Sequence, residues 1–239
     1  MSRHAVLTSD DHRNLRVRTE SSADLGDGLM SCFTVPSEFR RLQHSFPILF
    51  RRDEATGTFS ALALLGFERG ENLFLEGKRW DAAYKPMALA IQPLLVGRSD
   101  PAGGESQVHI DLDHPRIATG EDGVPLFDSV GRPTPYLERV TDMLAELDEG
   151  YRASESFFAA LQRYELLEPF FLDVELNSGS KHRMVGYQLI NEDKLSQLEA
   201  GAVAELQAEG HLLPIFMAVA SLSSLGDLIA RKNLRTGNG

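Results

Sequence analysis

Apolar residues change their spacing along this chain. Between positions 44 and 80 they come in short runs. Residues 46–50, 59–67 and 72–75 are almost wholly apolar, and Thr56-Gly57 and Arg69-Gly70 separate them. Short apolar runs bounded by turn formers predict strands, here an antiparallel meander. Residues 86–97 read as a further strand interrupted by Pro93, which suits a sheet edge or a bulge. Another short strand is expected over 108–112.

From residue 134 the period becomes helical. Thr134 can cap through its hydroxyl, and Pro135 suits a first helical position. Leu137, Val140, Leu144 and Leu147 then recur at spacings of three and four, one apolar stripe, with Gly150 as the expected stop. A second helix over 154–166 groups Phe157, Phe158, Leu161 and Tyr164, an aromatic cluster read as core. Residues 170–176 and 183–190 form a hairpin about the turn at 177–180. Short helices are expected at 192–199 and 202–209, stopped by Gly201 and Gly210. Residues 212–232 fit either one long helix or a strand to Ala220 followed by a helix capped at Ser221. The second reading is preferred.

The remaining segments are more polar. Residues 1–30 read as an arm, and the alternation at Leu15 and Val17 suits docking on a sheet edge, in its own chain or across a dimer. A short helix is expected after Pro36. Residues 98–133 hold nine glycines and prolines and read as loop around the strand at 108–112, the best candidate for a mobile surface segment. The fold class expected is α+β: a mainly antiparallel sheet with helices packed on it. The arm at 1–30 would precede a single domain over 31–239.

Composition supports a packed core. The 239 residues are 42% hydrophobic, enough for a domain that buries roughly 70–75% of its unfolded surface. Cys32 is the only cysteine, so no internal disulfide forms, which suits a reducing compartment. No apolar stretch follows the basic residues at the start, as an export signal requires. The longest mostly apolar run, 212–225, falls short of the ~20 residues that cross a bilayer. The expectation is a soluble, cytoplasmic protein with no membrane span. Net charge is −11, all of it from residues 101–239, where 22 acidic residues face 11 basic ones. Such a surface repels nucleic acid. Arg40-Arg41 and Arg51-Arg52 are dense basic spots, and they read as solvated strand ends.

Two groups of residues carry candidate chemistry. In the stretch His109-Ile110-Asp111-Leu112-Asp113-His114, a strand would point His109, Asp111 and Asp113 the same way. His-x-Asp with a distant histidine, here His182 or His211, is the donor set of a non-haem iron oxygenase. The plainer reading is a polar strand end. Trp80 and Tyr84, after the turn at Gly77-Lys78-Arg79, are either an aromatic platform for a ligand or partner, or a staple holding a loop to the sheet. With Arg98 they complete a set of candidate binding residues: Trp80, Tyr84, Arg98, His109 and Asp111. No catalytic residue, metal-ligand set or cofactor is assigned. Cys32 reads as a buried thiol, and neither a Gly-x-Ser-x-Gly elbow nor a phosphate loop occurs.

Several phrases are more specific than composition: HRNLRV at 12–17, LGDGLM at 25–30, FTVPSEFRRLQHSFPILF at 33–50 and LLGFERGENLFL at 64–75. Trp80 with Tyr84-Lys85-Pro86 follows, then HIDLDHP at 109–115, LFDSVGRPTPYL at 126–137 and SLSSLGDLI at 221–229. Taken in order, nearly end to end, they resemble the SapC family of bacterial proteins. The family name comes from a surface-layer locus, so the resemblance implies a role in surface-layer biogenesis. Its members are often encoded beside tryptophan-halogenase-like flavoproteins, cupin-like proteins and TonB-dependent receptors. The resemblance therefore implies protein partners in flavoprotein halogenase-like or TonB-dependent receptor systems, with a homo-oligomer also open. A peptide-transporter permease of the same name is a different protein, and this sequence lacks its membrane helices. The resemblance brings no catalytic residue set. The leading expectation is thus a non-catalytic binding or accessory protein. The alternative is a metal-dependent, oxygenase-like enzyme using His109 and Asp111.

Overall fold

The computed structural model describes residues 3–98, 106–118 and 120–237. Its strands, in chain order, begin with β1 (His4–Val6), β2 (Arg16–Val17), β3 (Ser31–Thr34), β4 (Ile48–Arg52) and β5 (Phe59–Leu64). Then follow β6 (Leu75–Glu76), β7 (Arg79–Trp80), β8 (Leu94–Arg98), β9 (Ser106–Asp111), β10 (Ile117–Ala118) and β11 (Val124–Pro125). The hairpin β12 (Leu167–Glu175) and β13 (Lys181–Ile190) completes the set. The helices are α1 (Ser9–His12), α2 (Phe39–Leu42), α3 (Met87–Ala90) and the long α4 (Pro135–Arg163). They continue with α5 (Glu192–Ser196), α6 (Ala200–Ala208), α7 (Leu212–Ser221) and α8 (Leu225–Gly237).

Every strand pairing described is antiparallel, and helices accompany the sheets, so the fold is α+β as expected. Among the described residues the pairing is divided among four sheets rather than one: β1-β9-β8, β10-β2-β11, β12-β13-β4-β5-β3 and β6-β7. The chain packs as two compact units. The first comprises 1–28, 75–81 and 87–149, and the second 29–74, 82–86 and 150–239.

In the first unit, the early chain docks on its own polypeptide. Strand β1 pairs with β9, Val6 opposite His109, and β2 lies between β10 and β11. Val17, Leu94, Ile110, Leu126, Leu137, Val140 and Leu144 form one buried cluster. The helical stripe read at 137–147 supplies its helical side.

In the second unit, strands β4 and β5 are wholly buried over 48–50 and 61–64. Phe39, Phe50, Phe157 and Phe158 interlock above them. Phe39 meets Phe157 at 6.0 Å and Phe50 meets Phe158 at 5.8 Å, both edge to face, the arrangement the ring quadrupole favours.

Several sequence expectations are corrected. Gly150 does not end a helix, because α4 runs through it. A β-carbon there would stand 2.6 Å from Val35 Cγ2, so glycine serves close packing rather than termination. Gly201 likewise lies inside α6, whereas Gly210, at φ +77°, does follow its end. Residues 87–90 are helical, and a cis Gln92-Pro93 peptide precedes β8, so only the second half of the expected strand over 86–97 forms. The strand expected at 72–75 is reduced to Leu75–Glu76. The hairpin and the short helix after Pro36 stand as expected. Part of the loop expected over 98–133, residues 99–105 and 119, lies outside the described residues.

The preferred strand over 212–220 is a helix. Buried positions 215, 218, 221, 224, 228 and 232 recur at three and four, the helical period. The sequence conceals this because the outward positions Leu213 and Phe216 are apolar too. Pro214 falls in the first turn, where its missing N–H costs little. The run 212–237 is long and apolar enough, by length and composition, to cross a bilayer. Its inward face is fixed to this unit: Ser221 Oγ accepts from Ile48 N at 2.9 Å, and Lys232 is buried between carboxylates.

Candidate functional site

Trp80 and Tyr84 belong to different units. Trp80 sits on β7 opposite Leu75, half-buried, after a turn that Gly77 makes at φ +60°. Tyr84 is held in the second unit. Its hydroxyl donates to Glu38 Oε1 at 2.9 Å, and the Arg41 guanidinium stands 5.3 Å from its ring centroid.

Arg98, His109 and Asp111 lie in the β8–β9 region of the first unit. Arg98 is exposed at the end of β8 and pairs with Asp148 at 3.6 Å, whose other oxygen accepts from the Ser106 hydroxyl at 2.9 Å. His109 packs flat over Gly97. A β-carbon on Gly97 would come 2.3 Å from its Nε2. That nitrogen is buried without a hydrogen-bond partner among the described residues. Asp111 closes the strand end: its Oδ1 accepts from Arg3 N at 3.2 Å and Asp113 N at 3.1 Å, and its Oδ2 is 3.9 Å from His4 Nε2.

The proposed distant histidines serve the second unit. His182 Nδ1 lies 3.1 Å from Glu68 Oε1, and the His211 ring meets Phe157 edge-on at 5.7 Å. Burial holds the His211 imidazole below its ordinary pKa, although the Glu209 charge opposes the shift. Among the described residues no three His, Cys, Asp or Glu side chains gather closely enough to hold a metal ion.

Three buried polar centres escaped the sequence reading. The first is Glu38, wholly buried, which accepts from Tyr84 and, at 2.7 Å, from the Thr34 hydroxyl. Cys32 lies close by. Burial and then the Glu38 charge push its thiol pKa far up, so the thiolate a nucleophile needs is disfavoured. The second is Asp27–Arg116, an ion pair of 2.6 Å with side chains 0% and 3% exposed. Arg116 also donates to the carbonyls of Arg18 and Glu20, and so ties down the 18–27 segment. Its backbone N–H donates to His114 Nδ1, and burial followed by the Arg116 charge lowers the His114 pKa. The third is Lys232, 7% exposed, 2.6 Å from Glu71 and 3.1 Å from Glu68. Burial opposes its charge, but hydrogen bonds to Glu71 and Glu68 outweigh burial and raise its pKa. These partners lie up to 164 positions apart. No local spacing announces such pairs.

Clefts open to solvent among the described residues, and two of them have defined linings. One, of about 430 Å³ in the first unit, is lined by Arg18, Glu20, Asp24, Lys78 and Asp122. Lys78 and Glu20 already face each other there at 3.9 Å. The other, of about 480 Å³ in the second unit, is lined by Arg52, Glu54, Pro169, Phe171 and Tyr187. Both mix charges of either sign.

An α+β fold with buried polar ties and open mixed-charge clefts describes a class rather than an activity. The SapC family model matches residues 7–228, nearly the whole chain, and the protein belongs to that family. No curated protein and no solved structure matches the chain.

Proposed function

We propose that this SapC-family chain is a non-catalytic, soluble accessory protein of the cytoplasm. It acts by holding protein partners in envelope or surface-layer related processes. One observation carries the reading: several side chains able to do acid–base or nucleophilic work are engaged in holding the fold. Glu38 takes Tyr84 and Thr34, Asp27 takes Arg116, Asp111 caps a strand end, and Cys32 is buried. Apolar side chains such as Phe171 and Phe216 stand in solvent instead, as contact residues do. Flavoprotein halogenase-like or TonB-dependent receptor systems are the partners the family setting suggests. Nucleic acid is not among them, because a net charge of −11 repels phosphate. Nor is a membrane span part of the proposal, because the run at 212–237 is fixed to the second unit through Ser221 and Lys232. The oxygenase-like alternative is disfavoured by the occupation of Asp111 in its turn.

Affinity capture from the native host, compared between the wild type and Trp80→Ala, tests the proposal. The wild type should co-purify a defined partner, and the variant should retain less of it at an unchanged unfolding midpoint. A variant that loses only stability makes Trp80 a structural staple. Purified protein that turns over a small molecule with a stoichiometric metal overturns the non-catalytic reading. Recovery of the native protein from outside the cell overturns the compartment.

A further inference from the structure

The hairpin of the second unit breaks its own ladder. Strands β12 and β13 pair from Leu167↔Ile190 to Phe170↔Tyr187, then resume at Leu172↔Met184. Phe171 on one strand, and Val185 with Gly186 on the other, are skipped. Gly186 turns through φ +82°. A bulge re-aims side chains, and here it leaves Phe171 63% and Val185 56% exposed. Beside it lies the cleft bounded by Arg52, Glu54, Phe171 and Tyr187. Both charged residues are exposed, and neither takes part in an ion pair among the described residues. The Arg52 guanidinium donates to the Gly57 carbonyl, at 3.4 Å, and lies over the face of Phe59, at 5.9 Å.

We infer that this bulge is the contact face of a homodimer. A patch with one sign of charge calls for a partner of the other sign. This patch carries a cation and an anion beside an exposed aromatic ring, and so complements itself. Under two-fold symmetry each Arg52 meets the other copy's Glu54 while the two Phe171 rings pack at the centre. The contact is made by side chains rather than by extending the sheet. Strand β12 is an edge strand, but Pro169 offers no N–H, and Asp173 and Glu175 set negative charges along it. The inference goes beyond partner capture, which stands whether or not the chain pairs with itself.

Sedimentation velocity of the full chain, over micromolar to submillimolar loading, tests it. The wild type should show a concentration-dependent dimer. Phe171→Asp should raise the dimer Kd by about thirty-fold or more, as loss of a central aromatic anchor does, with an unchanged far-ultraviolet spectrum. Arg52→Glu and Glu54→Arg should each weaken the dimer, and the double reversal R52E/E54R should restore it. That restoration does not depend on how well Phe171→Asp folds. A wild type that stays monomeric at the highest loading overturns the dimer and gives the patch to another protein. A dimer indifferent to Phe171→Asp, or a double reversal no better than the single ones, overturns this face as its interface.

Discussion

The Glu38–Tyr84 hydrogen bond links two residues 46 positions apart in the chain. Tyr84→Phe keeps the ring under Arg41 and removes the donor from a buried carboxylate. It should cost about 1–3 kcal/mol, read as a lower urea midpoint. An unchanged midpoint would show that Glu38 does not depend on that hydroxyl. The Asp27–Arg116 pair should be more sensitive. Arg116→Met leaves a carboxylate in a site closed to water, and breaking such a pair costs about 3–5 kcal/mol. The double variant Asp27→Leu, Arg116→Met should be less damaging than Arg116→Met alone. If it is worse, the pair contributes more than charge compensation. At this scale the sequence was informative about residue type and silent about partners. Tyr84 and Asp111 stood out as polar groups worth explaining. Glu38 and Arg116 fall in segments that read as a short helix and a loop, and only the folded chain removes them from water.

At the scale of elements, glycine shows how context sets the sign of a substitution. Gly150 and Gly201 both lie inside helices, where alanine is intrinsically better by about 1 kcal/mol. At Gly201 nothing lies within 4 Å of the added carbon, so Gly201→Ala should stabilise by up to about 1 kcal/mol. At Gly150 the carbon would meet buried Val35, a β-branched side chain with little freedom, at 2.6 Å. Gly150→Ala should therefore destabilise, by about 1–3 kcal/mol. Thermal unfolding of both variants checks the pair, and two shifts of the same sign would contradict it. The same contrast explains what was legible. The stripe at Leu137, Val140 and Leu144 announced α4, and the turn at 177–180 announced the hairpin. The continuity of α4 was hidden, since a glycine reads as a stop wherever its tertiary neighbour is unknown.

For the whole molecule, the perturbed groups define a pH range of stability. His114 and His211 are held below the ordinary histidine value of 6.5, so the unfolded chain binds their protons more readily than the folded one. Their contribution is complete above 6.5 and is lost as pH falls toward the lowered values. Lys232 is shifted the other way. Its contribution is complete below the ordinary 10.5 and is lost as pH rises through the raised value. Urea midpoints between about pH 5 and 8 should fall on the acid side, and His114→Gln should flatten that fall. An identical profile in the variant would remove His114 from the account. The sequence by itself determined the fold class, the hairpin, the amphipathic stripe of α4 and the family, because periodicity and turn chemistry are local and written in order. Tertiary structure alone decided that 212–220 is a helix, that the strands divide into four sheets, and which charges are buried together. Those outcomes depend on contacts between residues far apart in the chain, whose energies no local spacing encodes.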